Sequence, residues 1–299
     1  MSDFVRQNAV ETDFSTSDSW VILSPIELSI KRKIEAVGTP LKDWDINIYR
    51  GVLTGCNEAF IISTEKRNEI LNNCQSSEER KRTEELIRPI LRGRDIKRYG
   101  YDWAGLYLIA TFPSRHYDIE EYPAVKEHLL SFGKERLEQT GKEYIVNGQK
   151  IKARKKTNNK WFETQDSISY WDDFNKQKIV WARLMRLTKK DVNSFPRFAN
   201  VPEGFMTVDS LCFFSGKDID IICHFLNSEY AAYYFLKNIV ALDNGGIQMR
   251  QQYIEEIPLP QTGYTDEEIY SSFGFTSEEI SSIKNFIQVK KQSIFIERT

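Results

Sequence analysis

The chain has 299 residues, 40% of them hydrophobic and 28% charged, with a formal net charge of -2. A chain of that length buries about three quarters of its unfolded surface, enough for a full core, and the composition is ordinary for a globular protein. Nothing in it is globally basic, so a nucleic-acid binder at this balance needs its cations gathered on one face and its anions elsewhere.

Residues 1–43 read as a polar tail and a linker helix. The first 19 are rich in Ser, Thr and Asp and lack the apolar core of a signal peptide. No apolar run approaches the ~18 residues that span a bilayer. The chain is therefore expected to be soluble and cytoplasmic, with no membrane partner. Ser24-Pro25-Ile26-Glu27 announces a helix: Ser24 caps, Pro25 suits the first helical position and Glu27 completes a capping box. The helix is predicted to end near Val37, with Gly38 as its terminator.

From Trp44 the pattern changes to alternation. Ile46, Ile48 and Val52 predict a strand, and Ala59 to Ile62 a second one after a Gly51…Gly55 turn. Helices are predicted over 64–73, 78–92 and 121–140, and a buried strand over Gly105–Thr111. Asn147-Gly148 is a hairpin turn signal. Strands are predicted at Lys178–Met185 and Met206–Phe214, and one helix over Ile219–Leu236. Pro258-Leu259-Pro260 ends the mixed region. Two further capping boxes, Thr265 with Glu268 and Thr276 with Glu279, predict a small C-terminal helical appendage. The division is thus 1–43, 44–260 and 261–299.

Three basic clusters stand out. Arg88, Arg92, Arg94, Lys97 and Arg98 surround the single acid Asp95. Lys150, Lys152, Arg154, Lys155, Lys156 and Lys160 form a run without any acid. Lys178, Arg183, Arg186, Lys189, Lys190 and Arg197 face Asp191 alone. The compensating acids, Glu255, Glu256, Asp266, Glu267, Glu268, Glu278 and Glu279, lie near the C-terminus. Such a separation is what a phosphate-binding surface needs, although each cluster taken singly also reads as a solvated face. Asn158 and Asn159 add amides able to pair bidentately with adenine, as Arg pairs with guanine. A basic loop reaching into a groove and a loop without fixed structure both fit this composition. Arg183 is predicted to share a strand face with Trp181 and Met185, a candidate reading surface; buried packing is the other reading.

Catalytic signatures in the sequence are few. There is no Pro-Pro-aromatic clamp for a flipped base and no Gly-x-Gly turn after a strand for a cofactor. Cys56, Cys74, Cys212 and Cys223 have no metal-ligand spacing, and His116, His128 and His224 are scattered. Asp95-Ile96-Lys97 matches half of a metal-dependent nuclease motif but lacks its upstream acid. No catalytic, cofactor-binding or metal residue is expected in this chain.

Several blocks in order resemble the TaqI-like target-recognition domain of type II restriction–modification enzymes. They are Tyr49-Arg50-Gly51-Val52-Leu53-Thr54-Gly55-Cys56-Asn57-Glu58-Ala59-Phe60, Leu91-Arg92-Gly93-Arg94-Asp95-Ile96-Lys97-Arg98-Tyr99, Trp161-Phe162-Glu163 with Gln165-Asp166, Lys178-Ile179-Val180, Leu226-Asn227-Ser228, and Gly245-Gly246-Ile247 with Gln252-Tyr253-Ile254 and Ile257-Pro258-Leu259-Pro260. The resemblance spans about residues 44–260. It implies a mixed α/β domain, a twisted mixed sheet with flanking helices, that docks on double-stranded DNA and selects a short sequence. It also implies a partner, a methyltransferase domain or subunit that binds S-adenosylmethionine and methylates adenine. No such upstream domain is present in these residues, which reads as an excised fragment or a split gene. The candidate DNA-binding residues are Arg94, Lys97, Arg154, Lys155, Lys156, Asn158, Asn159, Lys160, Arg183 and Arg186. The alternatives are a specificity or interaction subunit that recruits separate catalytic chains, and a degenerate nuclease around Asp95 and Lys97.

Overall fold

The computed structural model describes residues 23–187, 192–242 and 245–296. The polar tail and Lys189, Lys190 and Asp191 of the third basic cluster lie outside them. Helix α1 (Pro25–Val37) starts as expected: Ser24 Oγ accepts from Glu27 N, while Ser24 N donates to Glu27 Oε2 at 2.9 Å. Gly38 closes it by close approach. Its φ is an ordinary -76°, but a Cβ there would stand 2.5 Å from Pro258 Cβ.

Strands β1 (Thr39–Pro40) and β2 (Ile46–Arg50) follow. The strand expected from Ala59 begins later. Thr54 Oγ1 donates to Asn57 Oδ1 and accepts from Cys56 N, folding a turn that launches the single-turn helix α2 (Asn57–Phe60). Only then comes β3 (Ile61–Ser63), followed by α3 (Thr64–Asn72) and α4 (Ser77–Leu86). The helix expected to reach residue 92 stops at Leu86 and the chain continues as β4 (Ile87–Leu91). Pro89 has no N–H to donate and biases Arg88 to an extended backbone, while Ile87 and Ile90 suit a strand.

After β5 (Leu106–Ile109), the single helix expected over 121–140 is two, α5 (Pro123–Leu130) and α6 (Lys134–Leu137). Gly133, at φ +84°, breaks it in a conformation that side chains rarely adopt. Strands β6 (Glu143–Val146) and β7 (Gln149–Lys152) form the expected hairpin, with positive φ at both Asn147 and Gly148.

The strand expected over 178–185 divides into β8 (Lys178–Ala182) and β9 (Leu184–Arg186), with a bend at Arg183. Strand β10 (Phe198–Val201) precedes β11 (Met206–Thr207) and β12 (Leu211–Gly216), which a turn at 208–210 separates. The helix expected over 219–236 is likewise two, α7 (Ile219–Leu226) and α8 (Glu229–Asn238). Ser228 Oγ caps the second by accepting from Ala231 N. The chain then forms β13 (Gly246–Gln248), α9 (Gln251–Ile254), β14 (Pro258–Leu259), α10 (Asp266–Phe273) and α11 (Ser277–Ile296). Both C-terminal capping boxes form, and α11, at 20 residues, is longer than a small appendage suggests.

The fold is mixed α/β and divides into two compact units. One combines α1 and β1 with residues 185–196 and everything from His224 onward, so the C-terminal helices group with the linker helix and with 224–260. In it β1 pairs antiparallel with β14, and Tyr230 packs on Phe273 at 4.6 Å. Glu279, counted in the acidic stretch, is buried rather than displayed. Burial pushes its pKa up, but hydrogen bonds from Lys33, Ser29 and the Thr276 N–H prevail and lower it to about 2.

The other unit, Ile46–Leu184 with Arg197–Cys223, contains two four-stranded sheets. The order β10-β8-β12-β2 is antiparallel throughout. The order β11-β4-β5-β3 is mixed, with β11 and β4 parallel. Phe60, Ile90, Leu108, Phe112, Phe174 and Phe213 fill the core of this unit without exposure.

Candidate nucleic-acid interface

The register of the antiparallel sheet aligns Arg50, Cys212, Trp181 and Phe198 in a row across its four strands. Beyond that row the chain leaves β2 at Arg50 and β8 at Arg183, and enters β10 from Arg197 and β12 from Ser210. One strand end thereby collects cations distant in sequence. Hydrogen bonds tie the connecting segments together: Arg183 N to Ser210 O at 3.0 Å, Asp209 N to Val52 O at 2.9 Å, and Gly51 N to Leu211 O at 3.0 Å. Val208 N reaches Leu91 O at 3.1 Å, which attaches the Arg92–Arg94 turn at the end of β4. Gly51 is a packing glycine: a Cβ would stand 2.1 Å from the Val208 carbonyl oxygen.

Arg50, Arg94 and Arg183 are all exposed on this edge. Trp181 and Met185, expected beside Arg183, are fully buried. The bend at Arg183 takes it off their face, and among the described residues its guanidinium reaches only the Asp209 carbonyl, at 3.4 Å. Lys97 is exposed, 3.5 Å from Asp102. Arg186 is exposed at the end of β9, in the other unit.

Arg50 was not among the expected site residues. Its Nη2 donates to Asp166 Oδ2 at 2.6 Å, and its carbonyl accepts from Tyr170 Oη at 2.7 Å. Asp166 N and Gln165 N both donate to Leu53 O at 3.1 Å. Gln165 Nε2 donates to Lys155 O at 3.0 Å, so the basic loop adjoins the strand end through this segment.

Within that loop two of the candidate residues are held by the protein's own carbonyls. Arg154 is 5% exposed. Its Nε donates to Leu137 O, Nη1 to Thr54 O and Glu163 O, and Nη2 to Trp161 O, all within 2.8 Å. Burial lowers its pKa to about 10. Those donors are paired with backbone carbonyls inside the protein, so Arg154 organises the loop. Asn159 is half-buried, its amide donating to Thr164 O and Gln165 O. Gln139 completes the frame, bonding Lys160 O and Glu163 O and accepting from Thr157 Oγ1. Lys155, Lys156, Asn158 and Lys160 remain exposed, with Lys160 Nζ 5.5 Å from the Phe162 ring.

Of two further members of the basic clusters, Lys178 is an interior group and Arg92 is half-buried and tied to a buried carboxylate. Lys178 has no exposure and donates to Phe174 O and Pro202 O; burial lowers its pKa to about 8. Arg92 is held by Asp95, which is 2% exposed and accepts from Arg92 N, Nε and Nη2. The carboxylate suggested as half of a nuclease motif is thus committed to an internal pair. Among the described residues no cluster of His, Cys, Asp and Glu could hold a metal ion, and no helix is long and apolar enough to cross a membrane.

Residues 88–259 match the sequence model of the TaqI-like C-terminal specificity domain. No curated protein matches the chain. Among solved structures it is similar to the type IIG restriction endonuclease BpuSI, with a TM-score of 0.51 and 13% identity over 91% of this chain. It is also similar to MmeI, a type IIL restriction-modification enzyme solved in complex with DNA, with a TM-score of 0.50 and 11% identity over 86%. At these identities the likeness is one of fold. The chain spans 33% and 36% of those two proteins. With more than half of its residues matched, the chain belongs to the family of TaqI-like C-terminal specificity domains.

Proposed function

We propose that this chain recognises a short sequence in double-stranded DNA as the specificity part of a restriction–modification enzyme. Methylation, and any cleavage, would be carried out by a separate domain or subunit, and S-adenosylmethionine would bind there. The observation that carries this reading is the strand-end edge. Arg50, Arg94 and Arg183 are exposed where three strands end, with Lys155, Lys156, Asn158 and Lys160 on the adjoining loop. On this reading the lysines and Arg94 engage phosphates and set position, while Asn158 and Arg183 address base edges. Lys97, on the segment following Arg94, engages a further phosphate.

The test is retention of random-sequence duplex DNA by the 299-residue chain at two salt concentrations, with sequencing of the retained molecules. An enriched short motif, with affinity falling steeply as salt rises, is the expected result. Salt-sensitive retention without a motif would restrict the chain to positioning DNA. No retention at either salt would overturn the reading in favour of recruiting other protein chains.

A further inference from the structure

We propose that Arg50 is a base-reading residue of this interface, selecting guanine, and that Asp166 is the positioning residue that orients it. The proposal deepens the DNA-recognition reading and rests on it. Arginine pairs bidentately with the O6 and N7 atoms of guanine in the major groove, provided that its planar fork is held at the right angle. A long free side chain loses rotamer entropy when it does so, and an already oriented one loses less.

Arg50 is the exposed cation of the edge whose surroundings supply that orientation. Its side chain is 49% exposed, whereas Asp166, which takes one of its N–H donors, is 23% exposed. Among the described residues the remaining donors of this guanidinium have no other partner. Both backbones of the pair are anchored. The Arg50 carbonyl accepts from Tyr170 Oη, and Tyr170 stacks on Tyr49 at 4.5 Å. Asp166 N donates to Leu53 O, and the Asp166 carbonyl accepts from Thr164 Oγ1 at 3.0 Å. By contrast, Arg136 pairs with Glu58, which is 69% exposed, and Arg80 with Glu84, 44% exposed. Both are ordinary solvent-screened pairs on helices. Arg183 and Arg94 have no carboxylate partner at all among the described residues.

The test compares wild type with Arg50→Ala, Arg50→Lys and Asp166→Asn in the same selection from random duplex DNA, with thermal unfolding of each as a check on folding. The wild-type motif is expected to contain a guanine that both Arg50 variants cease to select, its enrichment falling about tenfold or more. Arg50→Lys retains the charge, so its salt dependence stays as in wild type while the guanine preference is lost. Asp166→Asn lowers the preference at that same position and at no other. If Arg50→Ala does not fold, Arg50→Lys carries the test, because a lysine keeps the charge but lacks the planar fork that Asp166 orients. An unchanged guanine preference in Arg50→Lys overturns the proposal while leaving DNA recognition intact. A wild-type selection without any motif overturns both.

Discussion

Two groups of arginines in the same compact unit have opposite fates. Arg154 sits in the densest run of positive charge in the chain, yet its guanidinium is buried under four backbone carbonyls. Arg50, Arg94 and Arg183 come from three separate stretches of sequence, yet register and turns bring them exposed to one strand end. The difference is in where the donors go. A cation whose N–H groups are matched inside the fold supports the structure, and one whose N–H groups are left open can meet a ligand.

The largest effect expected from this contrast is on stability. Arg154→Ala would leave its carbonyls unpaired in the interior and is expected to cost about 3–5 kcal/mol. Thermal unfolding measures this, and the contrast breaks if the variant instead unfolds like wild type and loses DNA affinity.

Lys178, also a buried cation, predicts a pH signature. Its folded pKa of about 8 lies below the usual lysine value, so the unfolded chain binds more protons above pH 8. Stability is therefore expected to rise as pH increases from about 8 towards the unfolded lysine pKa, by up to about 3 kcal/mol at completion. Denaturant titrations of wild type and Lys178→Met between about pH 8 and 9.5 should show the rise in the former only. Burial raises the Cys212 thiol to about 11, which acts in the opposite direction within that range in both proteins, so the difference between them isolates Lys178. Tyr49 and Tyr170, each raised to about 12 by burial, act above it.

The exposed class should respond in binding and not in folding. Arg94→Ala combined with Arg183→Ala is expected to weaken DNA binding about tenfold, with an unfolding midpoint close to that of wild type. If either side chain pairs with a phosphate, the slope of log K against log salt falls by about 0.9 for each phosphate no longer neutralised. The smallest effect is that of Lys156→Ala, a few-fold loss shared evenly by all sequences, since a single exposed lysine contributes through charge alone. A sequence-dependent loss in that variant would move Lys156 into the base-reading class.

Local chemistry made much of the fold readable. The three capping boxes, the Asn147-Gly148 hairpin and the start of α1 depend on neighbours within a few residues, and each forms. The misread elements ended on signals weaker than the periodicity around them. Pro89 cut short the predicted 78–92 helix, Gly133 divided α5 from α6, and Ser228 divided α7 from α8.

The interface was legible only in part. Lys155, Lys156, Asn158 and Lys160 could be picked out because charged and amide side chains in a loop usually stay outside. Nothing in the local sequence distinguished Arg154 from the lysines beside it, or Arg50 from any other polar residue on a strand. Arg154 is buried because Leu137, Thr54, Trp161 and Glu163 converge on it from separate parts of the chain. Arg50 acquires Asp166 from a position 116 residues away.

By itself the sequence determined the family, the mixed α/β class and the places where helices and turns begin, since these follow from short-range hydrogen bonding and ordered motifs. Tertiary structure alone decided which cations face inward and which face out. That outcome depends on strand register and on carbonyls delivered by distant segments, and neither is encoded in the neighbourhood of the residue concerned.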